Sequence, residues 1–192
     1  KNFWRMDLSA DKPKWEALPP WPGPERAFHQ MAAQHNGREV CLYLFGGRRQ
    51  NPEVKGDEGI VPMSDAYEFS PKLYKSGKAE VWRKRADSPK PIMAGTAAAV
   101  GQSHLFVVGG ADGEGLKKIV ADPEFAKNHP GFPKRAWAYH TITDTWIDAG
   151  PLPSNHVTTP AVKWGEDLIV ASGEVKPRVR TQKVWRLTPE TL

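Results

Sequence analysis

Leu42-Tyr43-Leu44-Phe45-Gly46-Gly47 decides the fold, because the same frame occurs three times. An apolar run ends in two small residues here, again in Leu105-Phe106-Val107-Val108-Gly109-Gly110, and again in Leu168-Ile169-Val170-Ala171-Ser172-Gly173. Aligned on their small pairs, the copies stand at 46, 109 and 172, two equal steps of 63 residues. Short apolar runs stopped by glycine read as buried strands. Self-similarity at a fixed step is the signature of a propeller or a solenoid array.

The surroundings of each copy repeat as well. Residues 2–8 read as a strand, 11–13 as a turn, and a second strand follows around Trp15. The pair returns as Ala66-Tyr67-Glu68-Phe69 with Val81-Trp82-Arg83, and as Ala136-Trp137-Ala138-Tyr139-His140 with Thr145-Trp146-Ile147. Proline-rich stretches at 18–24, 88–92 and 150–154 follow the tryptophans. They mark loops, since proline fixes φ and has no N–H for a ladder. Small-residue strands come next, at 30–34, 95–100 and 158–162, as suits an innermost strand crowded toward an axis.

Four strands per repeat describe a propeller blade, so the expected fold is all-β, a β-propeller. The expected divisions are 1–17, the end of one blade; 25–85, a blade; 93–149, a blade with an insertion at 113–133; and 157–192, an incomplete blade. Helix content should be low, with one candidate at 122–128 inside the insertion. About thirteen strands in three blades do not close a ring, because propellers use four or more blades. The chain is therefore expected to be part of a larger propeller, completed by further sequence or by another copy.

Composition narrows the function classes. With 192 residues and 39% hydrophobic content, one core is within reach. The net charge of +5 is spread through loops without a basic stripe, which speaks against nucleic acid. No run is long and apolar enough for a membrane span, and no signal peptide is present in this chain. The single cysteine, Cys41, sits in an apolar strand and reads as a core residue. His104, His129 and His140 have no partners at metal-ligand spacing, so no metal site is expected. No phosphate loop and no nucleophile elbow is present.

The repeat resembles the kelch repeat, whose double glycine is followed by a spaced Tyr and Trp, here Gly46, Gly47, Tyr67, Trp82 and Gly109, Gly110, Trp137, Trp146. The third copy departs, with Ser172 for the first glycine and Trp185 in its aromatic strand. Copper-radical oxidases share that architecture, but their cross-linked Cys and Tyr have no counterpart around Cys41. A more specific likeness lies at Gly173-Glu174-Val175-Lys176-Pro177-Arg178-Val179-Arg180-Thr181. It resembles the Gly-Glu-x-Lys-Pro-x-x-Arg-Thr segment of the kelch-type sialic acid mutarotases, also called N-acetylneuraminate epimerases, including their cyclically permuted relatives. Trp4-Arg5-Met6-Asp7-Leu8, Lys14-Trp15, the 42–47 stretch and Met93-Ala94-Gly95 fall in the same order.

The resemblance implies a six-bladed propeller when complete, an isomerase acting on a sialic acid without a cofactor, and a periplasmic or secreted setting. It points to Glu174 and Arg180 as the residues acting at the sugar. A carboxylate suits proton transfer at an anomeric hydroxyl. A guanidinium matches the carboxylate of sialic acid. Arg48 and Arg49 follow the first double glycine and Asp112 the second, so Arg48, Asp112 and Lys176 are candidate sugar-binding residues at the same mouth. His29 and His156 lie where the chain enters an inner strand and can face the channel, and His29 is a further candidate for substrate binding, against the commoner outcome of a buried or capping histidine. Two other readings compete: a non-catalytic kelch module that binds a glycan or a protein, and an ordinary surface ion pair between Glu174 and Arg180 or Lys176.

Overall fold

The strand Val40–Phe45 has apolar side chains throughout and is buried from Cys41 onward on both faces, apart from a partly covered Leu42. A strand buried on both sides must lie between two layers. Its sheet supplies the hydrogen bonds, and flanking sheets supply the layers. The computed structural model describes residues 1–189; the side chains of Asp57, Leu116, Lys117 and Val120 are outside that description.

Four antiparallel units follow one another along the chain. Trp4–Met6 pairs with Trp15–Ala17. Gln30–His35, Val40–Phe45, Ala66–Phe69 and Trp82–Arg85 form a four-stranded sheet in chain order. Thr96–Val100, His104–Val108, Arg135–His140 and Thr145–Pro151 form another. Ala161–Trp164, Asp167–Ala171 and Val184–Leu187 form a three-stranded sheet. The first strands of the three larger sheets lie side by side, so these sheets are blades around an axis and the chain is a partial β-propeller.

The core lies between the blades. Cys41, Tyr43 and Phe45 of the first whole blade pack against Leu105, Val107 and Tyr139 of the second. Phe45 meets Trp146 edge-on, with ring centroids 5.4 Å apart. Each fully buried aromatic of this kind contributes about 2–3 kcal/mol. Phe3 and Leu18 close on Phe69 and Val81 in the same way, and Val108, Ala136 and Leu152 on Val170. The outer-strand tryptophans staple each blade to the loop before it. Trp82 Nε1 donates to Pro19 O at 2.7 Å, and Trp146 Nε1 to Ala86 O at 2.9 Å. Trp15 holds the corresponding place in the first unit and is 67% exposed.

The paired glycines make room for backbone. A Cβ on Gly46 would lie 2.4 Å from Ile92 O, and one on Gly109 would lie 2.5 Å from His156 O, both in the loop leading into the next blade. The second glycine of each pair faces the lead-in loop of its own blade: Gly47 faces Ala27, Gly110 faces Met93 and Gly173 faces Val157. Ser172 takes the first position at φ 59° and is exposed.

Several boundaries differ from the sequence reading. The first strand is Trp4–Met6, not 2–8. The last inner strand begins at Ala161, because Thr158 sits at φ 58° and Pro160 has no N–H to pair. Among the described residues there are a 3-10 helix at Gly56–Gly59 and three α-helices, not one, at Pro71–Lys75, Leu116–Ala121 and Pro123–Lys127. Asp122 caps the last of them by accepting from Glu124 N and Phe125 N, with Pro123 in the first turn. Of the last expected division, residues 190–192 lie outside the described residues.

Candidate functional site

Gln30 pairs with Phe45, Thr96 with Val108 and Ala161 with Val170. The starts of the inner strands therefore lie at the end where the second strands finish. All three connections from second to third strand open at this end. Each begins with the same backbone bridge to the lead-in loop: Ala27 to Arg48, Met93 to Ala111 and Val157 to Glu174. Arg48, Ala111 and Glu174 thus hold one position on three successive blades. The next residue of each lead-in loop is left-handed: Phe28 at φ 56°, Ala94 at 53° and Thr158 at 58°. These residues link blade to blade, Ala94 N donating to Phe28 O and Thr158 N to Ala94 O, both at 2.8 Å. Residues 28–31, 94–97 and 158–161 line an axial concavity of ≈ 550 Å³ between them.

Glu174 and Arg180 stand opposite each other across a short hairpin, Glu174–Lys176 with Val179–Arg180. The sequence reading had a polar loop here. Pro177 and Arg178, the latter at φ 64°, make its turn in the manner of a type II turn. Arg178 N donates to Glu174 Oε1, which leaves Oε2 open. The backbone of Glu174 exchanges two 3.0 Å bonds with Val157, next to Thr158 on the axial concavity. Glu174 is half-buried and Arg180 exposed. Among the described residues no ion pair joins Glu174 to Arg180 or Lys176, so the surface-pair reading is not what the side chains form. Lys176 Nζ donates instead to Lys127 O at 3.1 Å, reaching the insertion of the preceding blade.

The other candidates spread around the same end. Arg48 lies over the ring of Phe28, 4.8 Å from its centroid, beside a residue that lines the concavity. Its segment Arg48–Gln50 is a strand paired with Ile60–Pro62, not a loop, and Arg49 is exposed. His29 lines the concavity; its Nδ1 is buried without a partner, and burial, then Arg26, pushes its pKa down. Asp112 lies one residue past the position shared by Arg48 and Glu174 and faces a second cavity, of ≈ 590 Å³, under the insertion. His156 is buried and accepts from Trp185 Nε1 at 3.0 Å, a contact within the fold. His104 and His140 meet ring to ring at 4.7 Å at the opposite end of the second blade. Among the described residues no cluster of three or more His, Cys, Asp or Glu is spaced to hold a metal. No helix there is long and apolar enough to cross a membrane.

Sequence reasoning put Arg48, Arg49 and Asp112 in loops equivalent to that of Glu174 but missed that Ala111, not Asp112, takes the shared position, although the 63-residue step that aligns the glycines aligns Arg48, Ala111 and Glu174. It also missed Gln30, which is buried at the concavity with Oε1 unpartnered. Nothing in the local sequence marks that residue.

No family model matches the chain. It is 27% identical over 200 residues to N-acetylneuraminate epimerase of Haemophilus influenzae (strain PittEE), covering 94% of this chain and 49% of that protein. It is 26% identical over 204 residues to N-acetylneuraminate epimerase of Salmonella enteritidis PT4 (strain P125109), covering 96% and 50%. The chain spans about half the length of the curated relatives it matches. The solved structure of YjhT superposes with a TM-score of 0.73 over 98% of this chain and 59% of that one, at 22% identity, a likeness of fold. The resemblance carried by residues 173–181 holds: proteins named N-acetylneuraminate epimerase are homologues of this chain over most of its length.

Proposed function

We propose that this chain is part of a kelch-type mutarotase that interconverts the α and β anomers of a sialic acid such as N-acetylneuraminate, with Glu174 as proton carrier and Arg180 as carboxylate anchor. The observation that carries the reading is the register of one hairpin, in which Glu174 stands opposite Arg180 while its backbone is bridged to Val157 at the axial mouth. The names of the relatives supply the substrate class.

The anomeric carbon of a sialic acid carries a hydroxyl and a carboxylate. Ring opening takes the proton from that hydroxyl and delivers one to the ring oxygen, as the ring C–O bond breaks and a C=O forms. Closure on the other face of the carbonyl reverses both transfers and gives the other anomer. No electrons leave the sugar, so the reaction asks for proton carriers and orientation. Glu174 offers Oε2 for the proton while Arg178 N holds Oε1 in place. Arg180 presents two parallel donors that match the sugar carboxylate. Arg48, which lies over Phe28 at the edge of the concavity, is a second cation for the substrate, and Lys176, Asp112 and His29 are further binding residues on the same end.

Because the chain spans about half of its relatives, we take the complete protein to be a six-bladed ring whose remaining blades come from the rest of the gene product or from another copy. An exported, periplasmic setting follows from the resemblance; fractionation of the source cells that finds the protein with cytoplasmic markers overturns that part.

The test is NMR of a freshly dissolved single anomer with the full gene product. Glu174→Gln should slow anomer exchange by about 10²–10⁴-fold and leave sugar binding partly intact. An unchanged rate removes Glu174 from the chemistry. No acceleration by the unsubstituted protein favours the non-catalytic binding module.

A further inference from the structure

We infer that the cavity under the insertion of the second blade is a subsite for a secondary amide, the acetamido group of an N-acylated sugar; the inference rests on the mutarotase reading. The cavity opens at Ala111, the second-blade counterpart of Glu174, and is covered by the helices Leu116–Ala121 and Pro123–Lys127. Met93, Ile119, Phe125 and Phe132 give it apolar walls. Asp112, Glu114, His129 and Lys134 are the charged or titratable residues along it, and the bonding of His129 and Asp112 leaves one donor and one acceptor open beside the apolar walls.

The donor is His129. Its ring meets Phe125 edge-on at 5.8 Å and lies 5.8 Å from Phe132. Its Nδ1 accepts from Gly131 N at 3.0 Å, so in the neutral ring the proton sits on Nε2, which has no partner among the described residues. Burial, then Lys176, pushes the imidazole pKa down against Asp112, which keeps the ring neutral. The acceptor is Asp112, whose Oδ1 is taken by Glu114 N at 2.9 Å while Oδ2 stays open. A secondary amide has one carbonyl to accept from His129, one N–H to donate to Asp112, and a methyl to lie against Phe125 and Phe132. A hydroxyl in its place would leave the aromatic wall uncovered.

The cavity is tied to the hairpin of Glu174. Phe132 N donates to Val175 O at 3.4 Å, and Lys176 Nζ to Lys127 O at 3.1 Å. A sugar held by its amide here would therefore present its other end to Glu174 and Arg180, and the insertion would decide which sugars are turned over.

The experiment compares N-acetylneuraminate with its deaminated analogue, in which a hydroxyl replaces the acetamido group, on the full gene product. Saturation-transfer NMR should show the acetyl methyl as the most strongly saturated group, and Phe125→Leu should weaken that signal. Asp112→Asn keeps an oxygen for Glu114 N and replaces the open oxygen by an NH₂. It should lower the preference for the acetamido sugar, read as the ratio of kcat/KM values, by about tenfold, through KM. An acetyl methyl saturated no more than the ring protons overturns the inference, as does a preference unmoved by Asp112→Asn. If neither sugar is turned over, the mutarotase reading falls, and the methyl saturation with its loss in Phe125→Leu still decides the subsite.

Discussion

Gly109 shows what a single Cβ costs in this architecture. Its φ is +70°, and a Cβ there would stand 2.5 Å from His156 O and 2.7 Å from Asn155 Oδ1. Gly101 has φ +57° with nothing within 4 Å, so it carries the backbone strain without the collision. Gly109→Ala should destabilise the fold by roughly 3 kcal/mol, and Gly101→Ala by about 1 kcal/mol. Urea unfolding measures both, and equal losses would mean that blade contact is not what fixes the first glycine of the pair. That glycine was legible in the sequence because its residue type recurs at the end of an apolar run at a fixed step, although the contact that requires it is with the next blade. The left-handed Phe28, Ala94 and Thr158 were not, since no residue type there announces φ > 0; the bonds from blade to blade impose it. Glu174 stands out in the sequence only through the nine-residue resemblance, because a lone Glu on a hairpin looks like solvated surface.

At the scale of an element, the third strand of the first whole blade, Ala66–Phe69, is buried at all four positions, and Glu68 is 0% exposed. Alternation in Ala66-Tyr67-Glu68-Phe69 would send the acid to solvent on a half-buried strand, but the neighbouring blade covers that face. The carboxylate accepts from Tyr43 Oη at 3.1 Å, Arg85 Nε at 2.9 Å and Arg83 at 3.1 Å, which ties the second, third and fourth strands together. Arg85 also comes within 4.0 Å of Asp144 on the next blade. Glu68→Ala leaves a poorly exposed Arg85 without its main counter-charge, and should cost about 3–5 kcal/mol. A midpoint of urea unfolding that barely moves would show that the network is incidental. The Asp122-Pro123 start of a helix was read from its local signal, whereas the same kind of start at Ser70-Pro71 was missed. The two hairpins in the connecting segments were missed because Arg48, Arg49, Lys176 and Arg180 are polar residues with no strand pattern of their own.

For the whole molecule, the repeat step made the blades legible, while the way they press on one another has a consequence that no single stretch shows. Burial pushes the pKa of His29, His104, His129 and His156 down, in each case as the largest cause. The unfolded chain takes up these protons near pH 6.5, whereas the folded chain waits until the pH is lower. Between those points the unfolded state binds more protons, so stability rises with pH there and is lost as the pH falls below about 6.5. The carboxylates follow only at lower pH. Asp65, for example, is held below its usual value by Arg26 in spite of its burial, so its loss comes below the ordinary Asp range near 3.9. Urea midpoints should therefore be level above about pH 7 and fall from about pH 6.5 to 5, and a flat profile across that window would sink the argument. His156 gives the effect a location. Protonating its Nε2 removes the acceptor for Trp185 Nε1, the bond that ties the last strand of the third sheet to the loop leading to Val157. Val157 in turn holds the backbone of Glu174. Fluorescence of the unfolding transition should thus show the Trp185 sheet loosening ahead of the other blades in mild acid, and His156→Gln, which retains a side-chain acceptor but cannot titrate, should flatten that early phase.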